Sequence, residues 1–296
     1  MKNTIFTGAG VAIITPFDQN GGVNYIRLRE LIERQIENGT DAIIIVGTTG
    51  EGATLSTIEH IDVVKFAVEI VNKRVPVIAG CGSNDSRYAV RLANECEHVG
   101  VDGLLLVTPY YNKTSQAGLV AHFTYIADRV KTPIILYNVP SRTGVNIEPE
   151  TYAKLCKHPN IVAAKEANGD ISALAKTISL CGDELDIYSG NDDQISAFCA
   201  LGAKGVISVL SNICPKEAHE IAQKAIDGDI KGSVDLQYKY LRLCNDLFMD
   251  VNPIPVKEAM NMMGFCVGSY RLPLVEMTNE KKEKLKETLK FYDLIK

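Results

Sequence analysis

Eight times between Gly10 and Val209 a short apolar run gives way to a longer amphipathic stretch, and this alternation limits the fold more than any single motif. The runs are Gly10–Thr15, Asp41–Gly47, Val75–Gly80, Asp102–Thr108, Pro133–Asn138, Ile161–Lys165, Asp186–Gly190 and Gly205–Val209. Helical patterns fill the gaps at Asn24–Asn38, Thr57–Val71, Ser86–His98, Ser115–Val130, Pro149–Lys157, Ile171–Leu180 and Asp192–Leu201. Strands joined by crossovers long enough for a helix run parallel, and eight such units close a (β/α)8 barrel. A length of 296 residues also suits two average domains. A doubly wound open sheet is the competing arrangement, but no G-x-G-x-x-G follows the first run and no G-x-x-x-x-G-K-[ST] occurs. Gly80-Cys-Gly-Ser-Asn84 lacks the third glycine of a phosphate-binding turn. Past Val209 only helical patterns remain, at Pro215–Asp227, Gly232–Met249, Pro255–Met263 and Asn279–Leu294. The expectation is an α/β fold, a (β/α)8 TIM barrel with a C-terminal helical appendage. A catalytic barrel would span 1–226 and a helical domain 227–296.

Composition narrows the function by exclusion. Lys and Arg total 31 against 36 Asp and Glu, a net charge of -5, and no basic run marks a nucleic-acid partner. The densest cluster, Lys281-Lys282-Glu283-Lys284-Leu285-Lys286, alternates in sign and reads as a solvated helix face. No apolar run approaches about 18 residues, so no membrane partner is expected. Residues Met1 to Gly8 lack the apolar core of a signal peptide, which implies a cytoplasmic location. The 8 cysteines form no C-x-x-C pair and read as small core hydrophobes in a reducing compartment. The 5 histidines show no metal-ligand spacing, so no metal or other cofactor is expected.

Chemistry is carried by the run ends, because the reactive groups of such a barrel sit at the C-terminal ends of its strands. Lys165 closes the small, branched run Ile161–Ala164, with turn and cap residues Asn168-Gly169-Asp170 just after it. Desolvation there lowers an amine's pKa toward the range where it can attack a carbonyl, which suits an imine-forming lysine. The competing reading is a strand-end lysine reaching solvent beside Glu166. The other ends carry Thr15, Thr48-Thr49, Cys81, Tyr110-Tyr111, Tyr137, Arg142 and Ser189-Gly190. Tyr and Thr hydroxyls can relay the protons that carbinolamine chemistry moves. An arginine fork and the backbone N–H groups of a glycine-flanked loop can hold a carboxylate. Singly, each also reads as an ordinary core, turn or surface residue; their gathering at one mouth is what those readings leave out.

Gly47-Thr-Thr-Gly-Glu-Gly-Ala-Thr-Leu-Ser56, Thr108-Pro-Tyr-Tyr-Asn112, Tyr137-Asn-Val-Pro-Ser-Arg-Thr-Gly144 and Ala164-Lys-Glu-Ala167 resemble the dihydrodipicolinate synthase family. That family lies within the class I, N-acetylneuraminate-lyase-like aldolases, and the resemblance runs from about Gly8 to Val209, with a tail of the family's length. It implies that Lys165 binds pyruvate as an imine, whose enamine adds to L-aspartate 4-semialdehyde before cyclisation, in diaminopimelate and lysine biosynthesis. Tyr137 would handle protons at the imine carbon, and Thr48 would link it to Tyr111. The resemblance puts Tyr111 across a tight dimer in the partner's site, implying a homotetramer built as a dimer of dimers. Thr49 would contact the pyruvate carboxylate, Arg142 would bind the semialdehyde's carboxylate, and Gly190 and Ile207 would line the pocket.

Many relatives bind lysine as an inhibitor through a histidine and an acidic residue, whose places Thr57 and Tyr88 take here, although Asn84, His60 and Tyr110 match. Lysine inhibition is therefore expected to be weak or absent. Two other functions compete: a sister aldolase cleaving sialic acid or a 2-keto-3-deoxy sugar acid, and a catalytically silent metabolite-binding protein. Val-Pro-Ser-Arg-Thr-Gly argues against the first, and the intact hydroxyls and lysine against the second.

Overall fold

The computed structural model describes residues 2–296. Its strands are β1 (Gly8–Ala12), β2 (Ala42–Ile45), β3 (Val77–Gly80), β4 (Gly103–Val107), β5 (Ile134–Asn138), β6 (Ile161–Glu166), β7 (Asp186–Ser189) and β8 (Gly205–Ser208). Each pairs in parallel with the next, and β8 returns to β1, closing the barrel. The helices are α1 (Tyr25–Glu37), α2 (Thr57–Val71), α3 (Ser86–His98), α4 (Gln116–Ala127), α5 (Pro140–Thr143), α6 (Pro149–Leu155), α7 (Ile171–Cys181), α8 (Ile195–Ala200), α9 (Pro215–Ile226), α10 (Ile230–Asp246), α11 (Ile254–Met262) and α12 (Asn279–Phe291). The expected TIM barrel and helical tail are both present.

The strands are largely apolar because both faces are covered, and most of their polar residues stand at the C-terminal ends. Ile44, Ile78, Ile135 and Ile207 fill the bore with Phe6 and Tyr188, while Val11, Ile43, Leu104 and Leu136 pack under the helices. Closure brings Gly8 opposite Gly205 so tightly that a Cβ on Gly205, at φ +148°, would lie 1.8 Å from the Gly8 carbonyl oxygen. Only glycine fits that seam.

Several elements differ from the sequence pattern, each for a local reason. The first strand starts at Gly8 and ends at Ala12. Ile14 N–H then donates to Asn212 Oδ1 (3.1 Å) and the Thr15 hydroxyl to the Gly50 carbonyl (2.6 Å), so side chains and loops replace the ladder. Helix α10 begins at Ile230 because Asp229 caps it, accepting from Gly232 N–H at 2.9 Å. Asp192 lies outside α8, drawn inward where its Oδ2 accepts from Val209 N–H (3.0 Å) and Leu210 N–H (2.8 Å). The short α5 has proline at its first turn and Gly144 at φ +67° as its cap, and four residues are too few to show a period in sequence.

Helix α9 packs on β1 and β8, α10 lies along α8 and α9, and α11 and α12 pack together. The tail is bolted to the barrel by Lys257, which is fully buried on α11. Its Nζ donates to Glu51 Oε1 (2.7 Å), the Thr15 carbonyl (3.1 Å) and the Ser269 carbonyl (2.6 Å). Arg271 N–H completes the Glu51 carboxylate at 3.1 Å. All three ammonium protons are used, so this lysine is a fastener.

Candidate active site

Lys165 reaches the bore through an irregularity in strand pairing. Ile134 faces Ile161, but Ile135 faces Ala163, so β6 carries one extra residue. Val162 and Ala163 consequently both face inward, and beyond them Ala164 turns to the helices and Lys165 to the bore. A one-residue slip reverses every side chain after it. The shift also sets Lys165 directly opposite Tyr137, with Nζ 4.4 Å from the ring centroid.

Lys165 is 6% exposed, and burial pulls its amine down to about 8, with the Arg142 charge adding to the fall and Asp192 opposing it. Unlike Lys257, it meets no carboxylate at contact distance among the described residues; Asp192 acts on it only at Coulombic range. Burial pushes the Tyr137 phenol up, and the Arg142 guanidinium and the Thr48 hydroxyl pull against it. The phenol therefore stays protonated near neutral pH, able to donate and to accept.

The loop after β2 is held in a tight form. Val46 and Glu51 are both left-handed at φ 51°, and a Cβ on Gly52 would fall 2.2 Å from the Val46 carbonyl oxygen. Its two threonines part company: Thr48 is exposed, whereas Thr49 is buried and accepts from Asn252 Nδ2 at 3.0 Å. Arg142, on α5, donates from Nη2 to the Asn252 carbonyl at 3.0 Å.

Lys165, Tyr137, Thr49, Arg142 and Gly190 surround one cavity of about 370 Å³. Thr48 borders an adjoining cavity of about 410 Å³, shared with Tyr137, Arg142 and Tyr110. Ile207 is fully buried in the bore, in the same apolar cluster as Tyr137. Tyr111 stands apart: it is 92% exposed at φ +66°, and the single chain does not bring it to Thr48. Cys81 is buried, its thiol donating to the Ala79 carbonyl at 3.2 Å, and it does not border the lysine's cavity. Thr57 and Tyr88 hydrogen-bond to each other at 2.9 Å.

Three residues at the site carried no signal in the sequence pattern. Glu166 turns away from the bore and accepts from Asn138 Nδ2 (2.9 and 3.0 Å), the Tyr152 hydroxyl (2.8 Å) and Asn168 N–H (2.8 Å). Burial raises it to about 7 despite these bonds, which tie β5 to β6 one residue past the Tyr137–Lys165 pair. Asp192 read only as the first residue of a helical pattern. Asn252 lies in a turn of the tail, too far along the chain for any local spacing to reveal.

A closed barrel whose mouth holds one partly deprotonated lysine, with a tyrosine against it and polar groups around a small cavity, defines a lysine-dependent barrel lyase. The model of the dihydrodipicolinate synthetase family matches residues 5–292. A 4-hydroxy-tetrahydrodipicolinate synthase from Acetivibrio thermocellus is 56% identical over 295 residues, covering 100% of both chains. Among solved structures, dihydrodipicolinate synthase from Aquifex aeolicus superposes with a TM-score of 0.95 at 45% identity, covering 98% of this chain and 99% of that one. The chloride-inhibited enzyme from Acinetobacter baumannii, complexed with pyruvate, gives 0.97 at 43% identity over 99% and 100%. The chain belongs to the dihydrodipicolinate synthetase family.

Proposed function

We propose that this enzyme condenses pyruvate with L-aspartate 4-semialdehyde to 4-hydroxy-tetrahydrodipicolinate, through an imine on Lys165 and without any other cofactor. The observation that carries the reading is the Lys165 amine, lowered to about 8 and facing Tyr137 in a cavity that Thr49 and Arg142 also border. The free amine attacks the pyruvate ketone, and water leaves the carbinolamine to give the imine. Loss of a methyl proton yields the enamine, whose carbon bonds to the aldehyde of the second substrate. That substrate's own amine then attacks the imine carbon, closing the ring and releasing Lys165. Tyr137 is the proton carrier beside the reacting carbon, with Thr48 as its relay.

Thr49 takes the pyruvate carboxylate, Arg142 that of the semialdehyde, and Gly190 and Ile207 shape the walls. Tyr111 completes the relay from a neighbouring subunit; its exposure on one protomer fits that role. The working form is then a homotetramer, placed in the cytoplasm, where the 8 free cysteines stay reduced. A coupled assay tests the substrate: turnover with pyruvate and the semialdehyde is expected. Turnover only of N-acetylneuraminate or 2-keto-3-deoxy sugar acids would contradict the reading.

A further inference from the structure

Asn252 touches both residues assigned to the substrate carboxylates, by two different groups. Its backbone carbonyl accepts from Arg142 Nη2 at 3.0 Å, and its side-chain Nδ2 donates to Thr49 Oγ1 at 3.0 Å. The residue is 6% exposed and borders the cavity of Lys165. Its Oδ1 is buried and, among the described residues, has no hydrogen-bond partner. The protein thus uses half of this amide and aims that half at one hydroxyl. Most buried side-chain polar atoms have a hydrogen-bond partner, so the one-sided use of this amide marks it out.

We infer that Asn252 is a positioning residue that sets the direction of the Thr49 hydroxyl. A threonine hydroxyl has one proton to give and lone pairs to receive. With Nδ2–H filling a lone pair, the Oγ1 proton is left to point at a carboxylate, which accepts hydrogen bonds and donates none. An acceptor in the same place would draw that proton away and turn a lone pair toward the substrate. The inference rests on the reading of Thr49 as a pyruvate contact. It adds a direction of action: the side chain governs pyruvate, while the backbone carbonyl, which substitution leaves in place, goes on holding Arg142.

The test is a set of steady-state measurements on the full-length enzyme with Asn252→Ala, Asn252→Asp, Thr49→Val and the Thr49→Val/Asn252→Ala pair, each checked for thermal stability. Asn252→Ala is expected to raise the KM for pyruvate roughly tenfold, about the worth of one hydrogen bond, and to leave the KM for the semialdehyde within about twofold. Asn252→Asp, nearly the same shape, is expected to be worse than alanine for pyruvate, because it accepts where asparagine donates and brings a negative charge. In the Thr49→Val background, removing the Asn252 side chain is expected to add little. An unchanged pyruvate KM in Asn252→Ala beside a raised one in Thr49→Val overturns this inference alone. An unchanged pyruvate KM in Thr49→Val overturns the carboxylate assignment and this inference with it. Equal rises in both KM values with a fall in melting temperature would make Asn252 a purely structural residue.

Discussion

Replacing Lys257 by methionine isolates the fastener between the tail and the threonine loop. Methionine keeps the apolar stem beside the Phe17 ring, over which Nζ now lies at 4.3 Å, but removes the ammonium. Glu51 is then left buried with Arg271 N–H at 3.1 Å as its remaining partner, and the Thr15 and Ser269 carbonyls each lose a donor. Breaking a buried pair on one side costs about 3–5 kcal/mol, and each carbonyl left without a donor about 1–3 kcal/mol. These overlap as the loop relaxes, so a loss of about 5 kcal/mol is expected, a large share of a domain's stability. In a Glu51→Gln background no charge is stranded, and the same change is expected to cost about 2–3 kcal/mol less. Urea unfolding at fixed protein concentration and pH 7.5 measures both. A cost below about 1 kcal/mol, or the same cost in both backgrounds, would refute the reasoning.

Further outcomes follow from the site. A fall of the Lys165 amine from 10.5 to about 8 increases its free fraction at neutral pH roughly 300-fold. Pyruvate capture is therefore expected to climb with pH to about 8 and then level, whereas a climb continuing toward 10 in the reductive trapping rate would deny the shift. The same lowering makes the buried ammonium costly below about 8, and stability is expected to rise as pH goes from 8 to 10.5. If Tyr111 acts in a neighbouring site, mixing inactive Lys165→Ala with weakened Tyr111→Phe protein under subunit exchange should restore activity, since hybrids hold one intact site. No gain on mixing would keep Tyr111 out of a neighbouring site. With Thr57 and Tyr88 bonded to each other and neither carrying a carboxylate, micromolar lysine is expected to leave the rate unchanged; inhibition at that level would contradict the expectation.

The barrel was legible because its signal is local: each β–α unit shows its own apolar run and helical period, and α3 starts at Ser86 and ends at His98 as the pattern indicates. Lys165 was legible for the same reason, as a charge closing an apolar run. The contacts that make it useful were not. The register shift at Ile134 and Ile135 belongs to two strands at once, and without it Tyr137 and Lys165 would face opposite sides. Lys257 meets Glu51 across 206 residues and Asn252 meets Thr49 across 203, separations at which one sequence offers no period to read. Lys257 does leave a trace, standing among Val256, Ala259 and Met260 on a helix, where a lysine needs a partner. Nothing in the sequence says which partner.

The central claim is that the Lys165 amine captures a keto acid, and mass spectrometry after reduction tests it most directly. Incubating the intact enzyme with pyruvate and borohydride is expected to add pyruvate's mass less one oxygen, on the peptide containing Lys165. The folded Lys165→Ala protein is expected to gain nothing. An unmodified wild-type enzyme, or an adduct that survives in Lys165→Ala, would contradict the account.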